Sequence, residues 1–476
     1  MRLRFVRRSD APARAVPRAV GQPPPKPHRA AIAGFTGRRG EACEVVTRKR
    51  RLLLLGMGDA PPGPLDWEAA GALAVARLAA LPRIALDARG LDVEAAASLA
   101  AGACLRAWRF DRLRTRPPEP DAPRLSAIDV LADDPDAAEA AWAPMHAAVQ
   151  GALFARDLVA EPGNVLTPQG FAARLARLEA AGVSVEILDV AQLRREGLRA
   201  LLAVGGASVH PPCLAVLRWR GTIAAPPVAF VGKGITFDTG GISIKPAAGM
   251  WQMHGDMAGA AACAGAVLAL ALRRSPAPVA AVLALAENMP GAASYRPGDV
   301  LHTYEGTTVE ITDTDAEGRL ALADALAWTA ANLRPQAMVD LATLTGAVIV
   351  ALGGVMAGLF ARDEALDDVL AAHVAAAGAV VGERAWRLPM GDPRPDALRS
   401  DIADVLQCNM APRVPDATHA AAFLGRFVGD TPWVHLDIAG TEVREQACDR
   451  HALGPTGFGV RLLDRLVAQR FEDPAR

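Results

Sequence analysis

Lysine is scarce in this chain. Of 51 basic residues among 476, four are lysine (Lys26, Lys49, Lys233 and Lys245) and the other 47 are arginine. Long hydrophobic runs are missing too. None approaches the roughly 18–20 residues that span a bilayer, and the longest helix-like apolar stretch, GAAACAGAVLALALRR, is so rich in Ala and Gly that it reads as a packed core helix. The six cysteines (Cys43, Cys104, Cys213, Cys263, Cys408, Cys448) never stand at CxxC spacing, and their smallest gap is 40 residues. That argues against a zinc ribbon or a disulfide scaffold and for reduced thiols in a cytoplasmic protein. There is no HExxH, and the nine histidines are scattered. No large excess of positive charge exists either. The net charge is −1, whereas a nucleic-acid-binding domain normally presents a strongly basic surface.

What is present points to a globular chain of more than one domain. Hydrophobic residues make up 51%, and the length exceeds what a single core usually supports. Charge is uneven. Residues 1–30 carry Arg2, Arg4, Arg7, Arg8, Arg14, Arg18, Lys26 and Arg29 against Asp10, a net of +7, so the other 446 residues carry −8. This proline-rich lead has no continuous apolar core of a secretory signal. It is expected to be a flexible basic tail, with a transit-like peptide or a polyanion-binding arm as alternatives. Residues 31–149 alternate short apolar strands (RRLLLLGMGD, RIALDA) with Ala-rich helices (DWEAAGALAVARLAAL, DVEAAASLAAG), the pattern of a small α/β domain with a largely parallel sheet. AAEAAWAPMHAAVQGALFARDLV reads as a long linking helix. Residues 150–476 form a larger α/β domain. Its strands VAFVGKG, VAAVLALAENM, MVDLATLTG and WVHLDIAG are continuous apolar runs, which predicts a mixed, mostly parallel central sheet covered by helices. Helices are predicted over 257–273 and 319–333. Lys233, Asp340 and Asp437 fall at or near strand carboxyl ends, where ligands gather in open α/β sheets.

Two of the four lysines lie in one stretch, VGKGITFDTGGISIKP. Lysine can lose its proton in a perturbed site and become a neutral amine, whereas arginine stays charged and bulky. Asp238 follows Lys233 by five residues, beside Gly240 and Gly241, which let backbone approach a ligand closely. Further on, DTDAEGRL places Asp313, Asp315, Glu317 and Arg319 at a period of two. In an extended segment all four side chains share a side. So many carboxylates together are costly unless a cation sits among them. Asp256 opens the Ala-rich helix in MHGDMAGAA and reads equally as an ordinary helix cap. His254, two residues earlier, reads as a pocket-lining or surface histidine. Carboxylate oxygens plus an amine suit Mn2+, Zn2+ or Mg2+. Asp238, Asp256, Asp315 and Glu317 sum to −4, which two divalent ions balance. A neutral Lys233 amine then fits as a fifth ligand, and a charged Lys245 is placed to stabilise negative charge on a substrate oxygen.

These blocks resemble the leucine (cytosol) aminopeptidase family of two-metal peptidases. ARDLVAEPGNVLTP, VGKGITFDTGGISIKP, MHGDMAGAA, ENMPGAASYRPGDVL, TDAEGRLALADAL, DLATLTGA, WVHLDIAG and GPTGFGVRLL occur in the family's order and approximate spacing, over most of residues 150–470. The first domain resembles the family's N-terminal domain only loosely. The resemblance implies that residues 150–476 are the catalytic domain of a metal-dependent exopeptidase. It releases N-terminal amino acids, leucine-like ones preferred, in intracellular peptide turnover. Lys233, Asp238, Asp256 and Glu317 would hold the tighter metal. Asp238, Asp315 and Glu317, with the Asp315 carbonyl, would hold the other. Lys245 would polarise the scissile carbonyl, and Arg319 would hold a bicarbonate acting as general base. Met253, Thr343, Leu344, Gly346 and Ala439 match positions around the substrate. The resemblance also implies a homohexamer with peptide substrates, while the thiols, the short apolar runs and the net charge lead us to expect a cytoplasmic protein with neither membrane nor nucleic-acid partners.

The chain departs from the family pattern at several points. Asp313 stands where the family usually has Asn, Ala160 replaces a frequent Asn, and RVPDATHAAAFL replaces a Gly-Gly-containing segment. None of these removes a ligand. Glu442, just after Ala439 and Gly440, is expected to help basic N-terminal residues compete with leucine. The plainer reading of it is a solvent-exposed charge. Two other classes fit less well. A regulatory hexamer that binds DNA would have only the basic lead to do it with. A two-metal phosphoesterase would not be expected to use Lys233 as a ligand or to lack a histidine-rich site.

Overall fold

A computed structural model describes residues 1–19, 34–46, 51–116, 124–390, 397–448 and 451–473. The chain divides into two compact units. Met1–Val149 with Arg444–Gly454 form the first, and Gln150–Val443 with Pro455–Arg476 form the second.

The first unit contains strands β1 (Arg2–Val6), β2 (Ala13–Arg18), β3 (Ala42–Val46), β4 (Arg51–Gly56), β5 (Arg83–Asp87) and β6 (Ala127–Leu131). They form one sheet in the order β1-β6-β5-β2-β4-β3, parallel except where β3 pairs with β4. Helices α1 (Pro64–Leu78) and α2 (Val93–Ala107) are Ala-rich and largely buried. They pack closely where small residues meet. A Cβ on Gly71 would lie 1.9 Å from the Leu99 carbonyl oxygen. The basic lead is not a free tail over its first part. Residues 2–6 and 13–18 are strands, and the buried Asp129 of β6 gathers Arg4, Ser9 and Arg83 around it. Of the lead's arginines, Arg4 of β1 is an ion-pair partner of this buried carboxylate and Arg14 of β2 pairs with Asp87. Residues 20–30 of the expected tail lie outside the described residues.

Helix α3 (Pro135–Ala160) leads into the second unit. There follow α4 (Pro168–Leu175), β7 (Ser184–Leu188), α5 (Val190–Glu196), α6 (Arg199–Val204), β8 (Cys213–Trp219), β9 (Val228–Asp238), α7 (Ala258–Leu272), β10 (Val279–Asn288), β11 (Val300–His302), β12 (Thr308–Glu310), α8 (Glu317–Leu333), β13 (Ala337–Ala342), α9 (Gly346–Leu352), β14 (Ala357–Phe360), α10 (Ala365–Val381), β15 (Ala385–Arg387), β16 (Val405–Leu406), α11 (Asp416–Leu424), β17 (Trp433–Asp437) and α12 (Val460–Arg470). Eight strands form the central sheet in the order β15-β14-β17-β13-β9-β10-β8-β7. Its middle, β17-β13-β9-β10, is parallel, so those four carboxyl ends open on one edge. The outer pairs β14–β17, β10–β8 and β7–β8 are antiparallel. Short β11, β12 and β16 make a separate three-stranded sheet.

Small residues set the depth of α7 on this sheet. A Cβ on Gly232 of β9 would lie 2.5 Å from the Ala260 Cα, and one on Gly259 would lie 2.0 Å from the Leu341 carbonyl oxygen. Helix and sheet therefore meet at backbone distance, which fixes the start of α7 beside the end of β9. By length and composition alone the helical stretch Met250–Leu272 could cross a membrane, longer than the apolar run visible in the sequence. Of its most apolar window, however, 89% is buried inside the protein. It serves as the core helix that its Ala and Gly content predicts.

Candidate metal centre

The ends of β9, β10 and β13 and two loops converge on one site. Lys233 lies within β9, and Asp238 ends that strand. The chain then turns through Gly240 and Gly241 towards Lys245. Gly240 has φ +85°, and a Cβ there would stand 2.7 Å from Asp315 Oδ1, so only glycine lets this turn close against the second loop. Asp256 directly precedes α7, and Glu317 is the first residue of α8. Between Lys233 and α8 there is no spare space, since a Cβ on Gly318 would lie 2.5 Å from Lys233 Cε.

The lysines divide the carboxylates between them. Lys233 Nζ is 2.8 Å from Asp256 Oδ1 and 2.9 Å from Glu317 Oε1, and donates to the Thr343 carbonyl at 3.0 Å. Lys245 Nζ is 2.8 Å from Asp238 Oδ2 and 2.5 Å from Asp315 Oδ1. Asp238 Oδ1 accepts from Asn288 Nδ2 at 2.8 Å and from the Gly240 amide at 2.9 Å. Asp256 Oδ1 also accepts from Thr343 Oγ1 at 2.7 Å. The Asp315 loop is pinned by Asn288 Nδ2 and Tyr295 OH, which both donate to the Thr314 carbonyl. Gln407 Oε1 accepts the Thr312 and Asp313 amides, while its Nε2 donates to the Ala316 carbonyl.

This site holds more negative charge than its lysines neutralise. Four carboxylates face two ammonium groups. Burial, reinforced by Asp238, pushes the Glu317 carboxyl up against the pull of Lys233. Burial also raises Asp256 and Asp315, with Asp238 adding to each. For Lys233, burial works against the charge, but Asp256, Glu317 and Asp238 outweigh it and hold the ammonium above its ordinary value. Lys245 is raised in the same way by Asp238 and Asp315. Asp256 Oδ2 and both Glu317 carboxylate oxygens are buried without a hydrogen-bond partner. Glu317 Oε1 meets Lys233 as a charge and not in hydrogen-bond geometry. Asp238, Asp315 and Glu317 each bring an oxygen within 4.8 Å of the others. Orphaned, buried, hard oxygen donors this close together fit divalent cations.

Residues 153–464 match the family described as "Cytosol aminopeptidase family, catalytic domain". The chain belongs to the cytosol aminopeptidase family. It is 43% identical over 472 residues to a probable cytosol aminopeptidase of Nitrobacter winogradskyi, covering 96% of this chain and 93% of that one. A probable cytosol aminopeptidase of Brucella melitensis is 44% identical over 455 residues, covering 93% and 92%. Among solved structures, the bottromycin maturation enzyme BotP in complex with Mn has a TM-score of 0.85 at 35% identity, covering 96% of this chain and 99% of that one. A mutant of tomato leucine aminopeptidase has a TM-score of 0.86 at 29% identity, covering 99% and 97%. As a cytosol aminopeptidase, this protein is a metal-dependent hydrolase acting on peptides.

The aminopeptidase brings together Lys233, Lys245, Asp238, Asp256, Asp315 and Glu317, and sets Thr343 against Asp256 and Lys233. It does not place Arg319 in hydrogen-bond contact with these carboxylates. DTDAEGRL is not one extended segment: helix α8 starts at Glu317. Arg319 points from the first turn to the Gln407 carbonyl at 3.1 Å and to Asp416 Oδ1 at 3.1 Å. Its Nε is buried without a partner. Asp313 has a local job, its Oδ1 accepting the Asp315 amide at 2.9 Å. Asp340 lies inside β13 rather than at its end, fully buried, and accepts from Trp433 Nε1 and pairs with His435 Nδ1. His254 pairs through Nδ1 with the Trp251 carbonyl and stacks on the Trp251 ring. Glu442 is half-buried rather than a fully exposed charge. Its Oε2 is buried without a partner and lines a cavity of about 10 Å3 with Val159, Ala258, Ala262 and Phe458, room for about one water. Burial raises its carboxyl to about 7. Asn288, Tyr295 and Gln407 are the supporting residues that sequence reasoning misses. They are single polar residues at distant positions, and no spacing links them to the site.

Proposed function

We propose that this aminopeptidase removes N-terminal residues, leucine-like ones preferred, at a centre of two divalent cations held by Lys233, Asp238, Asp256, Asp315 and Glu317. The observation that carries this reading is the set of buried carboxylate oxygens of Asp256 and Glu317 that have no partner beside Lys233. Mn2+ suits the donor set, as do Zn2+ and Mg2+, and BotP is a structural relative in complex with Mn. When bound, the ions supply Lewis acidity and activate water near neutral pH. Lys233 must give up its proton to act as a ligand, whereas Lys245 stays charged and stabilises negative charge on the substrate carbonyl oxygen. The five donors leave the free α-amine of the substrate as a natural further ligand, which restricts cleavage to the chain end. Met253, Thr343, Leu344, Gly346 and Ala439 line the substrate. Arg319 holds a bicarbonate base through the nitrogen that has no partner, since a guanidinium cannot itself accept a proton. Removing metal with a chelator and restoring it tests the reading. Leucyl-amide hydrolysis is expected to vanish and return, and hydrolysis that survives full metal removal overturns it.

Glu442 favours basic N-terminal residues, because its carboxyl follows Ala439 by three residues, beside the turn that lines the substrate side chain. Glu442→Ala is expected to lower kcat/KM for arginyl relative to leucyl amide, and an unchanged ratio contradicts this. The chain forms a homohexamer. Exposed Trp251, Val350, Val355 and Trp386 of the catalytic unit supply apolar surface for such contacts. The enzyme works in the cytoplasm on peptides, in line with the names its relatives carry.

A further inference from the structure

Asp437 ends β17 beside Ala342, the last residue of β13, with which it is in register. It is fully buried and belongs to no ion-binding set named above. Its carboxylate accepts four hydrogen bonds. Oδ1 takes the Leu344 amide at 3.1 Å and the Ala439 amide at 3.2 Å, and Oδ2 takes the Thr345 amide at 3.1 Å and Thr345 Oγ1 at 2.8 Å. Each oxygen therefore serves two donors and has little capacity left for a ligand. Such a charged, saturated acceptor is among the stronger hydrogen-bonding arrangements in a protein interior.

Its donors come from both segments that line the substrate. Leu344 and Thr345 belong to the turn Thr343–Gly346, and Ala439 belongs to the turn after β17. The first turn also reaches the metal centre, because the Thr343 carbonyl accepts from Lys233 and its hydroxyl donates to Asp256. The backbone would otherwise be free to shift here. Thr345 precedes α9 without making a side-chain cap, and past β13 the turn has left the sheet ladder. We propose that Asp437 is a positioning residue for the aminopeptidase reaction, locking the Thr343–Gly346 turn to the Ala439 turn so that the two walls of the substrate side-chain pocket keep a fixed separation. This rests on the pocket assignment above, and its effect is on how the substrate is held, not on the chemistry of the ions. A misplacement of about 1 Å costs on the order of 100-fold in rate.

Two variants test it. Asp437→Asn keeps the shape but turns an amide nitrogen towards one pair of donors, and Thr345→Val removes a single donor. The readouts are kcat and KM for leucyl and alanyl amides, metal content, and folding by circular dichroism. Asp437→Asn is expected to bind full metal, to raise KM for leucyl amide at least 10-fold, and to reduce the leucyl-over-alanyl preference at least 5-fold. Thr345→Val is expected to move the preference in the same direction by about 2-fold. A merely structural role would lower the active fraction and leave KM and the preference unchanged. Wild-type preference in folded, metal-replete variants overturns the proposal, and Thr345→Val alone decides if Asp437→Asn does not fold. A wild-type enzyme that cleaves neither amide would instead overturn the function proposed for the site.

Discussion

Lys233 and Lys245 meet different carboxylates, Lys233 joining Asp256 and Glu317, Lys245 joining Asp238 and Asp315. The division predicts opposite phenotypes for the same substitution. Lys233→Arg is expected to lose metal, because a guanidinium neither deprotonates nor fits beside Gly318. Lys245→Arg is expected to keep metal and lose roughly 100–1,000-fold in kcat, the cost typical of displacing one oxyanion-stabilising donor. Metal per chain and turnover measured on both variants check this. Full metal and wild-type turnover in both would leave codon usage as the only reason for scarce lysine. At this scale the site is legible in the sequence, since lysine among arginines and clustered carboxylates are chemical signals in their own right. Glu442 is half legible. Its charge is visible, but its burial depends on Val159 and Phe458, far away in the chain.

The loop 312–316 is the element on which the centre depends, and Gln407 holds it from almost a hundred residues further on. With three hydrogen bonds to this loop and its backbone carbonyl on Arg319, Gln407 supports both the metal loop and α8. Gln407→Ala is expected to cost about 1–3 kcal/mol of stability by leaving buried amides unpaired, and to weaken metal binding by about 10–100-fold, as loss of supporting partners does. Denaturant unfolding and metal titration measure the two. Unchanged metal affinity would assign the loop's rigidity to Asn288 and Tyr295 alone. The element that misleads sequence reasoning is the same one. Ala316 occupies the cap of α8 and gives no Ser, Thr or Asp signal of a helix start, so a period of two looks like a strand. Glu317 instead faces the site from a helical first turn, and Arg319 faces Gln407. Strands β9, β10, β13 and β17 were legible because buried parallel strands are continuous apolar runs. The edge strand β15 and its neighbour β14 are too short to carry a pattern.

Across the whole molecule, buried carboxyls outside the metal centre tune stability with pH. Burial pushes Glu383 up to about 7 although Arg461 and the Leu462 and Gly459 amides oppose it, and Asp324 is raised to about 7 in the same way. A folded-state value above the unfolded one means the native chain holds the proton longer. The stability this confers is complete below the unfolded value and is lost as pH rises towards 7. Each such group contributes a slope of about 1.4 kcal/mol per pH unit in that window. Glu383→Gln is expected to flatten unfolding free energy between pH 4.5 and 7, and an unchanged slope contradicts the assignment. At the same scale, the first 19 residues show why charge alone misjudges a tail: its residues 2–6 and 13–18 are sheet strands, where Arg4 pairs with the buried Asp129 and Arg14 with Asp87. Whether the catalytic unit reads the free amino end of a peptide comes down to one comparison. Metal-reconstituted enzyme is given leucyl amide and its N-acetylated form, side by side. Rapid hydrolysis of the free amine is expected, with the acetylated substrate at least about 100-fold slower. Equal cleavage of the two would contradict it.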